Sequence, residues 1–225
     1  MNPSSGVNII RYHHSKNEAS YTDKLITCFQ DVFAEPPWNE WKRCPVCNQY
    51  WGTDHRETLA ASGFTHCEAP VVDYWPTQQV REDLDHEISP HASCWLAVEQ
   101  ESVVGFCWGY EATIEYLEDR LKIQFQDDLE KMYGKGHRIA YQDELGVLNH
   151  YRGKKIAKDL FMRRHMDFRQ QGLSLGIVRT RRTPEPSVTY LWFTQRLGYQ
   201  VITEYPSDDG RVVLGQTLEE VERLA

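Results

Sequence analysis

The chain has 225 residues, 40% of them hydrophobic and 26% charged, with a formal net charge of −8. This is the composition of a globular protein able to bury one large core or two small ones, and its acidic balance excludes a protein that lives on nucleic-acid phosphates while favouring cationic or neutral partners. No window reaches the apolar length of a membrane span, and Met1 to Lys16 lacks the basic-then-apolar order of a signal peptide, so a cytoplasmic protein with no membrane partner is expected.

Val7 to Tyr12 reads as a first strand. A helix follows, with Leu25, Phe29, Val32 and Phe33 on one face, and Pro36 and Pro37 end it. Residues 34–75 then lose periodicity but carry Trp38, Trp41, Trp51 and Trp75, the pair Cys44 and Cys47, and several histidines. That is more than a connector needs. A helix over about 77–88 leads to two strand-like runs, Cys94 to Gln100 and Ser102 to Thr113, joined by a tight turn at Gln100 and Glu101. Residues 115–132 lack breakers and place Leu117, Leu121, Phe125 and Leu129 four apart, which predicts one helix closed by Gly134 and Gly136. A strand over 138–148, a helix from about 154 to 170, a strand over 174–180 and a helix over 187–197 follow. The chain closes with strands over 199–205 and 211–218, joined by a turn at Pro206 to Gly210.

Between the 138–148 strand and its helix lies the turn Arg152, Gly153, Lys154, Lys155. A strand-to-helix turn rich in free backbone N–H groups is a seat for a phosphate. Taken alone, those residues also suit an ordinary basic first turn of a helix.

Six cysteines in a cytosolic chain of this length are thiols or metal ligands rather than a disulfide scaffold. Cys28, Cys94 and Cys107 fall on patterned elements and are expected to pack as small buried groups. Cys44-Pro-Val-Cys47 has the spacing of a zinc knuckle, Cys67 supplies a third thiolate, and His55 or His66 completes a tetrahedral site. His55 is preferred because, in an extended segment, His66 would point away from Cys67. A structural zinc ion would explain how an aperiodic insert is ordered. The alternative is free buried cysteines without metal.

The segment "YRGKKIA", with Arg152, Lys155 and Ala157 at the signature positions, resembles the acetyl-CoA turn of the GCN5-related N-acetyltransferase superfamily. The preceding "DELGVLNHY" and the late "YLWFTQRLGY" are similar to that family's central strand and late helix. The resemblance is specific over roughly 138–218, weaker over 7–110 and absent from 34–75 and 111–136. It implies an α/β fold with a mixed, mostly antiparallel central sheet flanked by helices. Residues 1–225 would be a single domain bearing the cysteine-rich insert 34–75 after the first helix and a helical insert 111–137.

The resemblance further implies an acetyl-CoA-dependent transferase acting on a primary amine of a small molecule or peptide. Arg152, Gly153, Lys154, Lys155, Ile156 and Ala157 would seat the pyrophosphate, and the backbone of Leu145 and Val147 would hold the pantetheine arm. Lys155 departs from the signature, which has Gly there, so a positive-φ backbone at that position is strained. Acetyl transfer to an amine needs a base, for which Glu144 is placed, and an acid for the departing thiolate. The family's usual Tyr is replaced by Thr194, leaving Tyr190 one helical turn earlier, or water. Glu35, Trp38 and Glu40 are candidates to hold a cationic acceptor. The competing expectations are a non-catalytic acyl-CoA-binding or zinc-dependent interaction module on the same fold, and transfer of a different acyl group.

Overall fold

The structure is a computed structural model describing residues 6–14, 19–60, 64–206 and 210–224. Its largest sheet has seven strands: β1 (Asn8–Arg11), β7 (Ser93–Glu99), β8 (Ser102–Ala112), β9 (Ile139–Val147), β10 (Leu175–Arg181), β12 (Arg211–Thr217) and β11 (Gln200–Glu204), in that spatial order. β9 and β10 run parallel, whereas the pairs β1–β7, β10–β12 and β11–β12 are antiparallel. The expected mixed, mostly antiparallel sheet is present. Two compact units divide the chain, one comprising Met1–Pro90, Trp95–Phe106 and Leu145–Leu160, the other His91–Cys94, Cys107–Glu144 and Phe161–Ala225.

In the first unit, helix α1 (Ala19–Ala34) buries Leu25, Phe29, Val32 and Phe33, the face its sequence spacing selects. Helix α3 (Thr77–Glu87) buries Val80 and Leu84 in the same way. Gln100 and Glu101 both have positive φ (48° and 67°), so β7 turns into β8 through the two-residue geometry that matches strand twist. Residues 34–75 carry small elements that periodicity cannot reveal: a three-stranded sheet of β3 (Tyr50–Trp51), β2 (Lys42–Arg43) and β6 (Val72–Asp73), a hairpin of β4 (Thr65–His66) and β5 (Ala69–Pro70), and helix α2 (Arg56–Ala60).

In the second unit, one face of β9 and β10 meets α4 (Ile114–Leu121) and α5 (Gln126–Tyr133) in a core of Leu117, Leu121, Phe125, Leu129, Ile139, Tyr141, Leu175 and Ile177. The single helix expected over 115–132 is therefore two. Lys122 adopts φ 55°, and the Glu118 carboxylate turns back to accept the N–H groups of Phe125 (2.7 Å) and Gln126 (2.8 Å). Leu117, Leu121, Phe125 and Leu129 are all buried nonetheless, because the break preserves the facing of both halves. A second cluster joins α6 (Ile156–Gln170), α7 (Val188–Arg196) and β12 through Phe161, Phe193, Leu197, Tyr199, Val212 and Leu214. Helix α8 (Leu218–Leu224), which the sequence reading did not include, follows β12 directly. Ser207 to Asp209, the centre of the expected turn at 206–210, lie outside the described residues. Among the described residues no helix is long and apolar enough to cross a membrane.

Candidate functional site

The basic turn sits where its spacing puts it, between the end of β9 and the start of α6. Leu148 N–H donates to Val104 O at 3.0 Å, and a short 3-10 turn over Asn149–Tyr151 delivers the chain to Arg152. Gly153 (φ 77°) and Lys155 (φ 66°) are both left-handed, and α6 begins at Ile156. Gly takes that backbone without cost, whereas Lys pays for the crowding of its Cβ. Residues 152–155 are exposed, Ile156 is buried and Ala157 half-buried. The Arg152 guanidinium donates to Val147 O (3.1 Å), and Lys154 Nζ lies 4.6 Å above the Tyr151 ring, whose hydroxyl donates to Glu99 (2.5 Å). The first turn of a helix directs amides without an i−4 carbonyl towards its N-terminus, which here is the basic turn. Leu145 is half-buried and Val147 buried. A Cβ on Gly146 would meet the Phe106 ring at 2.5 Å, and one on Gly105 would meet Gly146 O at 3.0 Å, so these glycines permit a close approach of β8 to β9.

The candidate base lies in the second unit. The Asp143 side chain is buried and accepts from Tyr110 OH and Arg120 Nη2, both at 3.0 Å, while Glu144 is half-buried. Burial works against the Arg179 cation, but Tyr141, Tyr205, Glu144 and Asp143 outweigh it and hold its pKa above the usual arginine value. Glu144 thus lies in a cluster that includes cations, not in an apolar pocket. Helix α7 starts with the Ser187 hydroxyl accepting Tyr190 N–H at 3.0 Å. The Tyr190 side chain is hydrogen-bonded to Arg182, itself gripped by both oxygens of Glu204 (2.5 and 2.6 Å). Thr194 Oγ1 donates to Tyr190 O at 2.8 Å.

Arg164, which with Arg163 reads in the sequence as a basic patch, is buried. Only 1% exposed, it donates from Nη1 to Trp108 O (2.8 Å) and Glu144 O (2.7 Å), and from Nη2 to Gln142 Oε1 (2.9 Å). One guanidinium therefore occupies carbonyls of both β8 and β9. Its signal was visible: Arg164 lies four residues from both Leu160 and Phe168, on the apolar face of α6.

In the first unit, Cys44, Cys47, His66 and Cys67 bring one donor atom each to within 4.8 Å of one another. His66, not the expected His55, joins the three cysteines; His55 is exposed and faces Asp54 at 3.6 Å. The argument from strand alternation fails because Cys67 (φ 52°) and Glu68 (φ 61°) are the two left-handed residues of the β4–β5 turn, so the extended backbone stops at His66. His66 Nδ1 is 3.3 Å from Cys67 Sγ and 3.5 Å from Cys47 Sγ. Burial opposes a Cys44 thiolate, yet hydrogen bonds from Cys47, His66 and Val46 bring it down to about 6, while hydrogen bonding to Cys47 and burial push Cys67 up to about 11. Cys28, Cys94 and Cys107 are buried, as expected.

No protein-family model and no curated protein matches the sequence. Solved structures do match in fold. The PaiA N-acetyltransferase from Thermoplasma acidophilum in complex with coenzyme A aligns with a TM-score of 0.53 at 11% identity, over 95% of this chain and 99% of that one. An acetyltransferase of the GNAT family from Desulfovibrio desulfuricans aligns at 0.52 and 10% identity over 94% and 99%. An aminoglycoside 6'-N-acetyltransferase complexed with coenzyme A aligns at 0.51 and 13% over 94% and 97%. The strand order, the turn before α6 and these alignments agree: the chain has the fold of the GCN5-related N-acetyltransferases.

Proposed function

We propose that the protein is an acyl-CoA-dependent N-acetyltransferase that transfers an acetyl group to a primary amine of a small molecule or peptide. The observation that carries this reading is the turn at Arg152–Ala157, where two left-handed residues, Gly153 and Lys155, lead into the N-terminus of α6 with Arg152 and two lysines exposed beside it. On this reading residues 1–225 work as one catalytic domain with inserts at 34–75 and 111–137, in the cytoplasm. Arg152, Gly153, Lys154, Lys155, Ile156 and Ala157 hold the pyrophosphate, and the backbone of Leu145 and Val147 holds the pantetheine arm.

Glu144 is the proposed base and takes the amine proton directly or through water. Tyr190 is the proposed acid, and it returns a proton to the thiolate only after leaving Arg182. An ion at the cysteine–histidine cluster is structural here, because four protein donors leave no open position.

Titration calorimetry with acetyl-CoA tests the seat. Wild type is expected to bind in the micromolar range, and the double variant Arg152→Glu, Lys155→Glu to bind about 100-fold more weakly. A folded wild type that does not bind would end the reading. Release of free coenzyme A with a panel of amines then tests catalysis, with kcat in Glu144→Gln lowered about 100-fold or more. The hydrogen bonds of Tyr190 and Thr194 favour a second reading, an acyl-CoA-binding module without turnover. Binding without thiol release for any amine would select it.

A further inference from the structure

We propose that Cys44, Cys47, His66 and Cys67 form a tetrahedral zinc site that fastens two hairpins of the 34–75 insert to each other and is the principal cross-link of that insert. The inference does not rest on the transferase reading, and it names His66 as the nitrogen donor.

Two independent observations carry it. The first is the donor geometry. Cys44 directly follows β2, and the next four residues make a tight loop in which Asn48 N–H donates to Cys44 O (3.0 Å) and Cys44 N–H to Gln49 O (2.8 Å). Val46 N–H points at Cys44 Sγ (3.4 Å), so the loop folds around this sulfur and turns Cys47 towards the same point. The β4–β5 turn supplies His66 and Cys67 from the opposite side. A tetrahedral ion with Zn–S near 2.3 Å and Zn–N near 2.0–2.1 Å sets its donors roughly 3.4–3.8 Å apart. The His66 Nδ1 contacts at 3.3 and 3.5 Å lie at or just below the short end of this span, and all four donors lie within 4.8 Å, so a small closure of the cluster completes it. Trp51 packs edge-on against the His66 ring with centroids 5.2 Å apart, which fixes the ring's direction. Three soft sulfurs and one imidazole select zinc over the hard cations.

The second observation is what the insert lacks. Among its described residues after Ala34, only Glu40, Cys44 and Gly52 are buried, and its aromatic pairs, Tyr50–Tyr74 and Trp51–Phe64 among them, are formed by half-exposed rings. A segment of this length with so little buried cannot offset its conformational entropy by burial. Its strands are two residues each, and its tryptophans lie half-exposed at the surface of the segment. A metal cross-link supplies the missing term, as it does in small zinc modules. At the insert's far end the fastening continues into the first unit's core: Tyr74 N–H donates to Trp41 O, Trp75 Nε1 donates to Glu40 (3.0 Å), and Trp75 packs on Phe29 of α1 at 5.4 Å.

Elemental analysis of the full chain, purified without chelator, tests the site. One zinc per chain is expected in wild type and in His55→Asn, and less than about a tenth of that in Cys47→Ser and in His66→Asn. Cobalt(II) added to the metal-free protein is expected to give the intense visible bands of a tetrahedral thiolate site, with their intensity cut in Cys67→Ser. Should a variant misfold, the wild-type cobalt spectrum and a chelator titration followed by tryptophan fluorescence still decide. Wild type that takes up neither zinc nor cobalt overturns the proposal, as does zinc lost in His55→Asn but kept in His66→Asn. Acetyl-CoA binding is read separately, so failure of either proposal leaves the other standing.

Discussion

Lys155 holds a backbone conformation suited to glycine, and its cost is measurable. Lys155→Val, with a branched Cβ at φ 66°, is expected to lower stability by about 1–2 kcal/mol. Lys155→Gly should change it by less than about 1 kcal/mol, since relief of strain and added freedom of the unfolded chain offset each other. Chemical denaturation of the two variants checks this. Equal losses would mean that the ammonium, not the backbone, matters there. Lys155 was legible beforehand because the signature position and the local rule for glycine coincide. With Arg163, Arg164 reads in the sequence as part of a basic surface patch, and its spacing alone marks the buried role, because a cation on an apolar face contradicts the expectation that arginine stays in water. His66 was misplaced because alternation was assumed across a turn that only backbone angles reveal.

Elements with a long apolar period were legible to within a residue or two. α1, α3, α6 and the strands of the large sheet all fall close to where their patterns predict, since burying a face requires the pattern to exist. The short strands of the 34–75 insert have no such face to bury and left no periodic trace. The break between α4 and α5 is hidden for a different reason: it is made by one carboxylate reaching seven residues along the chain. Glu118 is nearly buried and caps α5 from the preceding helix. Glu118→Ala is therefore expected to cost about 1–2 kcal/mol and to lower the unfolding midpoint by about 4 °C, with Glu118→Gln in between. Thermal melts by circular dichroism measure this, and an unchanged midpoint would remove Glu118 from the cap.

At the scale of the whole molecule, acid stability turns on His165. It is 3% exposed, stacked on Phe161, and neither ring nitrogen has a hydrogen-bond partner among the described residues. Burial, aided by Arg169 and Arg164 and opposed by Glu222, lowers its pKa to about 4. The unfolded chain binds this proton near pH 6.5 and the folded one only near 4. Stability is thus lost as pH falls from 6.5 to 4, by about 2 kcal/mol after allowance for residual hydration. His165→Leu should flatten that slope in urea titrations run across the window, and an unaltered slope would assign it elsewhere.

The cysteines also sort by depth. Cys28, Cys94, Cys107 and Cys44 are buried, whereas Cys47 and Cys67 are exposed. A chromogenic disulfide reagent used to count released coenzyme A will therefore first record a burst from the protein itself when metal has been stripped, fast for Cys47 and slower for Cys67, whose raised thiol pKa keeps the thiolate scarce. Prior loading with zinc should suppress the burst, so the blank of a turnover assay carries a reading of the insert's occupancy.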